Sequence, residues 1–404
     1  MTEAYITAPQ SARLQQEGAQ AAPWPRIILI YLIGVFGMLV VSIAVPALGG
    51  IAAEFHPRSP AIIGWVMSIP ALAAALASLL IGAMVDRIGD RPVMIAGAAL
   101  VALAGAGVMM AGGLATLLAW RVVGGLGYVC MVVGAVAMIL RLTQGRQRVA
   151  ALTLWSTVIP ASFIVSGLYG ALVGPHVGWR MGFGVHAALV AMLGLMARLL
   201  LPAREGGARA SRLDGLGAVL RSGGTYQLGL CFAAAAFVQT GLVATLPRLL
   251  GATTGVDEAV VHSFTLPAMA ANIAGAALFG VAYGRGARAA VLGFGAVGLV
   301  LGCGAGLVLL RTGLAGAVLL DCGMMVGLGI LVGMWALLPL VAPSPASMGA
   351  TSGMVTQITL LGVLFGPPAA FASLGLGSRG LLAFFLVGGV LSLLGYPVWR
   401  RRAA

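Results

Sequence analysis

The chain has 404 residues, 60% of them hydrophobic and only 8% charged, with a formal net charge of +13. Soluble domains carry about 25% charged residues, so a soluble fold is excluded: it would leave too much apolar surface in water. The sequence contains no Lys, hence no phosphate loop of the Gly-x4-Gly-Lys-Ser/Thr kind. It also lacks metal-ligand Cys/His spacing, so neither an enzyme nor a metal or cofactor site is expected.

Residues 1–26 form a polar tail without the apolar stretch of a cleavable signal peptide. Twelve apolar segments follow, at about 27–50, 61–84, 92–112, 114–140, 149–174, 180–202, 223–248, 259–283, 288–310, 313–341, 347–373 and 379–399. A helix crosses a bilayer with roughly 20 apolar residues, and segments this long without period-two alternation do not suit strands. The predicted fold class is an all-α membrane protein of twelve transmembrane helices. A polar linker over 203–222 divides it into six-helix halves at 27–202 and 223–399, with a short tail at 400–404. Cys130, Cys231, Cys303 and Cys322 all fall inside apolar segments and read as small core residues.

Arg placement sets the orientation. With the first helix starting inside, seventeen Arg lie on the inner face, against Arg58, Arg180, Arg248, Arg311 and Arg379 outside. The positive-inside rule then makes both termini cytoplasmic and a bacterial inner membrane the expected location. The same bias accounts for the basic total, so no nucleic-acid partner is expected.

The halves repeat. Gly82 and Gly280 lie 198 residues apart, as do Arg87 and Arg285. Val45-Pro46-Ala47-Leu48 matches Leu246-Pro247-Arg248-Leu249, and Ile69-Pro70-Ala71 matches Leu266-Pro267-Ala268. Gly113-Leu-Ala matches Gly313-Leu-Ala, and Gly178-Trp-Arg180 matches Gly377-Ser-Arg379. Parallel six-helix repeats are one transporter architecture, with the site between them near midplane.

The turn Gly82-x-x-x-Asp86-Arg87-x-Gly89-Asp90-Arg91 is the densest charge cluster of the first half. Helix four carries Arg121-Val-Val-Gly124-Gly125-Leu-Gly127. Helix six opens with Gly178-Trp179-Arg180-Met-Gly-Phe183, and helix one ends with Pro46-Ala-Leu followed by Ala53-Glu54-Phe55. Together these patterns resemble a twelve-helix member of the major facilitator superfamily (MFS), over nearly the whole chain. Asp90 departs from the family pattern, standing where a basic residue is usual, and Gly124 replaces Gln. The resemblance implies a secondary transporter working by alternating access.

Gly82, Asp86, Arg87, Gly89 and Arg91 are the gating candidates. Small Gly82 permits close helix approach. Asp86 suits the positive end of a neighbouring helix; the resemblance names helix eleven, starting near Ala346-Ser347. Arg87 and Arg91 would contact helix ends or lipid phosphate. Arg121 lies about 10 Å into helix four at 1.5 Å per residue. An intramembrane Arg is costly and calls for a partner or a wet cavity. Its repeat mate, 200 residues on, is Asp321, the one acid well inside an apolar run. The two are read as an outer gate that closes as they approach, with Asp321 as a proton carrier.

Gly353-x8-Gly362-x3-Gly366-Pro367 in helix eleven has the Gly spacing that family exporters carry in helix five, and reads as close packing plus a kink. Tyr31, Tyr128, Gln239, Asn272, Trp335 and Gln357 are candidates to line the cavity, whereas His186 and His262 read as interfacial. The expected partners are a small-molecule substrate, protons and the lipid bilayer; a monomer is compatible with the sequence, which leaves the oligomeric state open. The favoured function is proton-coupled export of small organic compounds. The alternatives are uptake of a small organic anion clamped by Arg121, and a transporter-like sensor or assembly partner without flux.

Overall fold

The computed structural model describes residues 22–57, 60–172, 174–203, 214–254, 264–310 and 312–401, and contains no strand among them. Eleven helices are long and apolar enough to cross a membrane, and a bent helix pair makes the twelfth span. In chain order they are α1 (Trp24–Phe55), α2 (Trp65–Ile88), α3 (Asp90–Met109), α4 (Leu114–Leu142), α5 (Gly145–Ser156 and Val158–Gly170) and α6 (His176–Leu200). The second half holds α7 (Gly223–Leu246), α8 (Leu266–Gly284), α9 (Ala289–Leu309), α10 (Gly313–Leu340), α11 (Pro345–Gly375) and α12 (Gly377–Trp399). Leu76, Leu80, Leu199 and Leu319 stay exposed, as side chains facing lipid tails do.

Prolines interrupt these spans where the sequence places them. A proline lacks the N–H that would bond the carbonyl four residues back, and in lipid that carbonyl needs another donor. In α1, Pro46 sits in a 3-10 turn over Val45–Ala47. The Ser42 carbonyl it leaves open accepts from Ser166 Oγ of α5 at 2.7 Å. In α5, Pro160 follows a 41° bend between Ser156 and Val158. Tyr31 of α1 meets that bend through Thr157 Oγ1 at 2.8 Å.

The halves touch where small residues let backbones approach. A Cβ on Gly82 of α2 would lie 2.5 Å from the Gly349 carbonyl of α11, and one on Gly353 would collide with the Ser78 carbonyl. The repeat mate Gly280 of α8 packs likewise on Thr153 of α5. Both seams lie toward the helix ends that carry Arg87, Arg141 and Arg148, called the basic end here. Gly362 and Gly366 serve a different contact: they press on Ala233 and Phe237 of α7, within the second half. Linker residues 204–213 lie outside the described residues. The linker then forms a short helix, Asp214–Leu220. Its Val219 joins Ala350, Met354 and Ile358 of α11 in one apolar cluster, against which Leu79 of α2 packs.

Candidate functional site

At the basic end, Ser344 and Ser347 form the capping box that starts α11. Asp86, on the last turn of α2, reaches across the seam to that start. Its Oδ1 accepts from Gly349 N–H at 2.9 Å and its Oδ2 from Ala350 N–H at 2.8 Å. A carboxylate there satisfies orphan amide groups and meets the positive end of the helix dipole. Gly82, one turn earlier, lets the two helices come this close. Gly89 ends the turn at φ 96°, a left-handed conformation that glycine adopts without strain.

The departure at Asp90 has a physical counterpart in α4. Asp90 is buried and accepts a bidentate pair from Arg141, Nε to Oδ2 at 2.7 Å and Nη2 to Oδ1 at 2.9 Å. Arg141 Nη2 also donates to the Pro202 carbonyl at 3.1 Å, and Arg91 donates to the Arg198 carbonyl at the end of α6. One carboxylate and two guanidinium groups thus tie α3, α4 and α6 together behind Asp86. Arg87 is exposed. A cavity of about 360 Å³ opens on this cluster, lined by Asp86, Asp90, Arg141, Arg148 and Gly349 among others.

The opposite end of the first half has its own clamp. Glu54 accepts from Trp179 Nε1 at 3.0 Å and pairs with Arg180, whose Nη1 donates to the Met109 carbonyl at 2.8 Å. Arg180 also lies over the rings of Phe55 and Trp179. The motifs ending α1 and opening α6 therefore meet in space.

Arg121 and Asp321 do not meet. Arg121 is buried inside the first half, where Nε donates to the Val66 carbonyl of α2 at 2.8 Å and the guanidinium lies 5.6 Å from the Phe183 ring centre. Its Nη2 has no partner among the described residues. The space beside it, about 10 Å³, is lined by Trp120, Phe183 and His186 and holds at most one water. Asp321 is equally buried in α10, with Oδ1 unpartnered among the described residues.

His186, read from sequence as interfacial, is buried instead and donates from Nε2 to the Phe36 carbonyl of α1 at 2.7 Å. His262 lies outside the described residues. Of the cavity candidates, Tyr31 is half-buried, while Tyr128, Gln239, Asn272 and Trp335 are buried. Asn272 donates to the Met325 carbonyl at 3.2 Å, Gln239 touches the Met269 sulfur at 3.9 Å, and Trp335 stacks on Phe232 at 5.0 Å. Gln357 Oε1 has no partner among the described residues.

Known proteins agree with this architecture. The human organic anion transporter MFSD10 (TETRAN) superposes with a TM-score of 0.76, covering 94% of this chain and 100% of that one at 18% identity. The proton:xylose symporter XylE gives a TM-score of 0.73, over 92% and 95% of the chains at 14% identity. Identities this low speak to the fold alone. In sequence, the tetracenomycin C resistance and export protein of Streptomyces glaucescens is 30% identical over 234 residues, 56% of this chain and 42% of that protein. The niacin transporter NiaP of Acinetobacter baylyi is 30% identical over 125 residues, 31% and 28% of the two chains. The chain thus matches less than half the length of either relative. The family model described as Major Facilitator Superfamily matches residues 30–367. With that match across most of its length, the chain belongs to the Major Facilitator Superfamily and is a multi-pass membrane protein.

Proposed function

We propose that the protein couples proton movement to the export of small organic compounds across a bacterial inner membrane, with the basic end and both termini in the cytoplasm. Two halves, 27–202 and 223–399, rock about a central site. Gly82, Asp86, Arg87, Gly89 and Arg91 work the cytoplasmic gate. The observation that carries the coupling is Asp321, a carboxyl buried in α10 with Oδ1 unpartnered and no cation paired to it among the described residues. An isolated charge is very costly to bury, whereas the proton-bearing form is neutral, so the group suits a proton that is taken up and released as water access changes. Export draws on the relative from Streptomyces glaucescens, named for that direction.

Reconstituted protein tests the coupling. An imposed pH gradient should drive substrate flux, and Asp321→Asn should abolish that drive while leaving substrate counterflow intact. Gradient-driven flux that survives in Asp321→Asn sinks the proposal. The sign of proton movement on substrate addition separates antiport from symport, and ligand binding without flux marks a sensor.

A second reading, uptake of a small organic anion clamped by Arg121, draws on the lack of any acid paired with that guanidinium among the described residues. The niacin transporter among the relatives is in keeping with it.

A further inference from the structure

Pro70 stands inside α2, so the rung it would form with the Val66 carbonyl is missing. Val66 is fully buried, and an unpartnered carbonyl in that setting destabilises the helix. The donor that fills the gap is Arg121 Nε, at 2.8 Å. One turn further along α4, Gly125 lies directly on Pro70: a Cβ there would stand 2.7 Å from Pro70 Cα. Arg121 and Gly125, four residues apart on one helix face, therefore match the open rung and the proline that opens it. The same treatment recurs in α1, where Ser166 fills the rung opened by Pro46.

We propose that Arg121 is a positioning residue whose task is to cap the open rung at Pro70. Capped, the bend at Pro70 is fixed, so the stretch of α2 from the proline to Asp86, sixteen residues or about 24 Å as a rod at 1.5 Å per residue, holds one direction. The rod aims the carboxylate at the start of α11. The guanidinium carries its charge over the Phe183 ring, an attraction between cation and aromatic face, and needs no acid to do this work. This inference concerns the gate and stands apart from proton coupling at Asp321, since none of its readouts requires a pH gradient.

The test is a rescue. Arg121→Met removes the donor and keeps the bulk. In proteoliposome counterflow it should lower turnover about tenfold or more, the scale of leaving a buried acceptor unmet. It should also speed alkylation of Ser78→Cys, a position buried under α11 when the seam is closed. Pro70→Ala restores the backbone N–H, so Val66 no longer needs Arg121. Alone it should keep turnover within threefold of the parent. In Arg121→Met it should bring back both turnover and protection of Ser78→Cys. If Arg121→Met lowers membrane abundance, Pro70→Ala should restore that as well. An anion clamp or proton relay at Arg121 gains nothing from a repaired rung. An active Arg121→Met, an inactive Pro70→Ala, or a double variant as impaired as Arg121→Met overturns the assignment.

Discussion

Asp86→Asn is the sharpest perturbation of the proposed gate, because it changes one atom and one charge at the contact between α2 and α11. Two bonds run from Gly349 and Ala350 N–H groups to the carboxylate, at 2.9 and 2.8 Å. Bonds to a charged group contribute about 1.5–3 kcal/mol each, against about 0.5–1.5 for neutral ones. Asn keeps one oxygen, so one bond weakens, and the other becomes an amide facing a backbone N–H. Loss of the charge at the helix start removes about 0.3–1 kcal/mol more. Together the closed seam loses roughly 2–4 kcal/mol. At tenfold per 1.4 kcal/mol, the ratio of closed to open protein falls by about thirtyfold to several hundredfold. Alkylation of Ser78→Cys in membranes reads that ratio directly, and counterflow in proteoliposomes reads the turnover. The expected result is faster alkylation and slower transport at parental membrane abundance. Full turnover with unchanged protection of Ser78→Cys would refute the reasoning, because the two bonds would then hold nothing shut.

The seam makes a second demand, for room. Gly353→Ala places a methyl group against the Ser78 carbonyl and should block closure, abolishing counterflow without loss of expression. Gly375→Ala in the same helix, with nothing within 4 Å of its Cβ, should leave counterflow unchanged. The pair of buried Asp90 with partly exposed Arg141 predicts charge-reversal rescue. Arg141→Asp strands the buried Asp90 carboxylate, which costs about 3–5 kcal/mol, and Asp90→Arg sets a like charge beside the partly exposed Arg141 at a smaller cost. Each should lower thermal stability, and the double reversal should recover most of it. A double variant no more stable than either single one would show that the pair does not hold α3 to α4.

The spans were legible because crossing a membrane is a local demand: about twenty apolar residues in a row are visible in any window. The spacing of Gly82 and Gly280 has a related physical reading. Gly82 and Gly280 recur because each must let a helix of the other half approach, α11 in one case and α5 in the other. Asp86 was legible through the motif around it, and its N–H donors at the start of α11 follow from the charge at a helix end. The role of Asp90 was only half legible. Its departure from the usual basic residue stood out, but its partner Arg141, 51 residues away, carried no motif to mark it.

The least legible group was Arg121. The 200-residue symmetry pointed to Asp321, because sequence comparison pairs side chains with side chains. The partner in the structure is a backbone carbonyl, which every residue possesses and no letter of the sequence distinguishes. The one available clue was Pro70, four residues after Val66, since a proline always leaves the carbonyl four residues back without its donor. The burial of His186 is equally hidden in the sequence, since its bond to the Phe36 carbonyl depends on which helix packs beside α6. Sequence by itself determined the membrane spans and singled out the charged turn whose carboxylate meets the start of α11. These follow from hydropathy and local spacing. Only the tertiary structure decided that Arg121 closes a broken rung in α2, because a free backbone carbonyl acquires a partner only when another helix is packed against it.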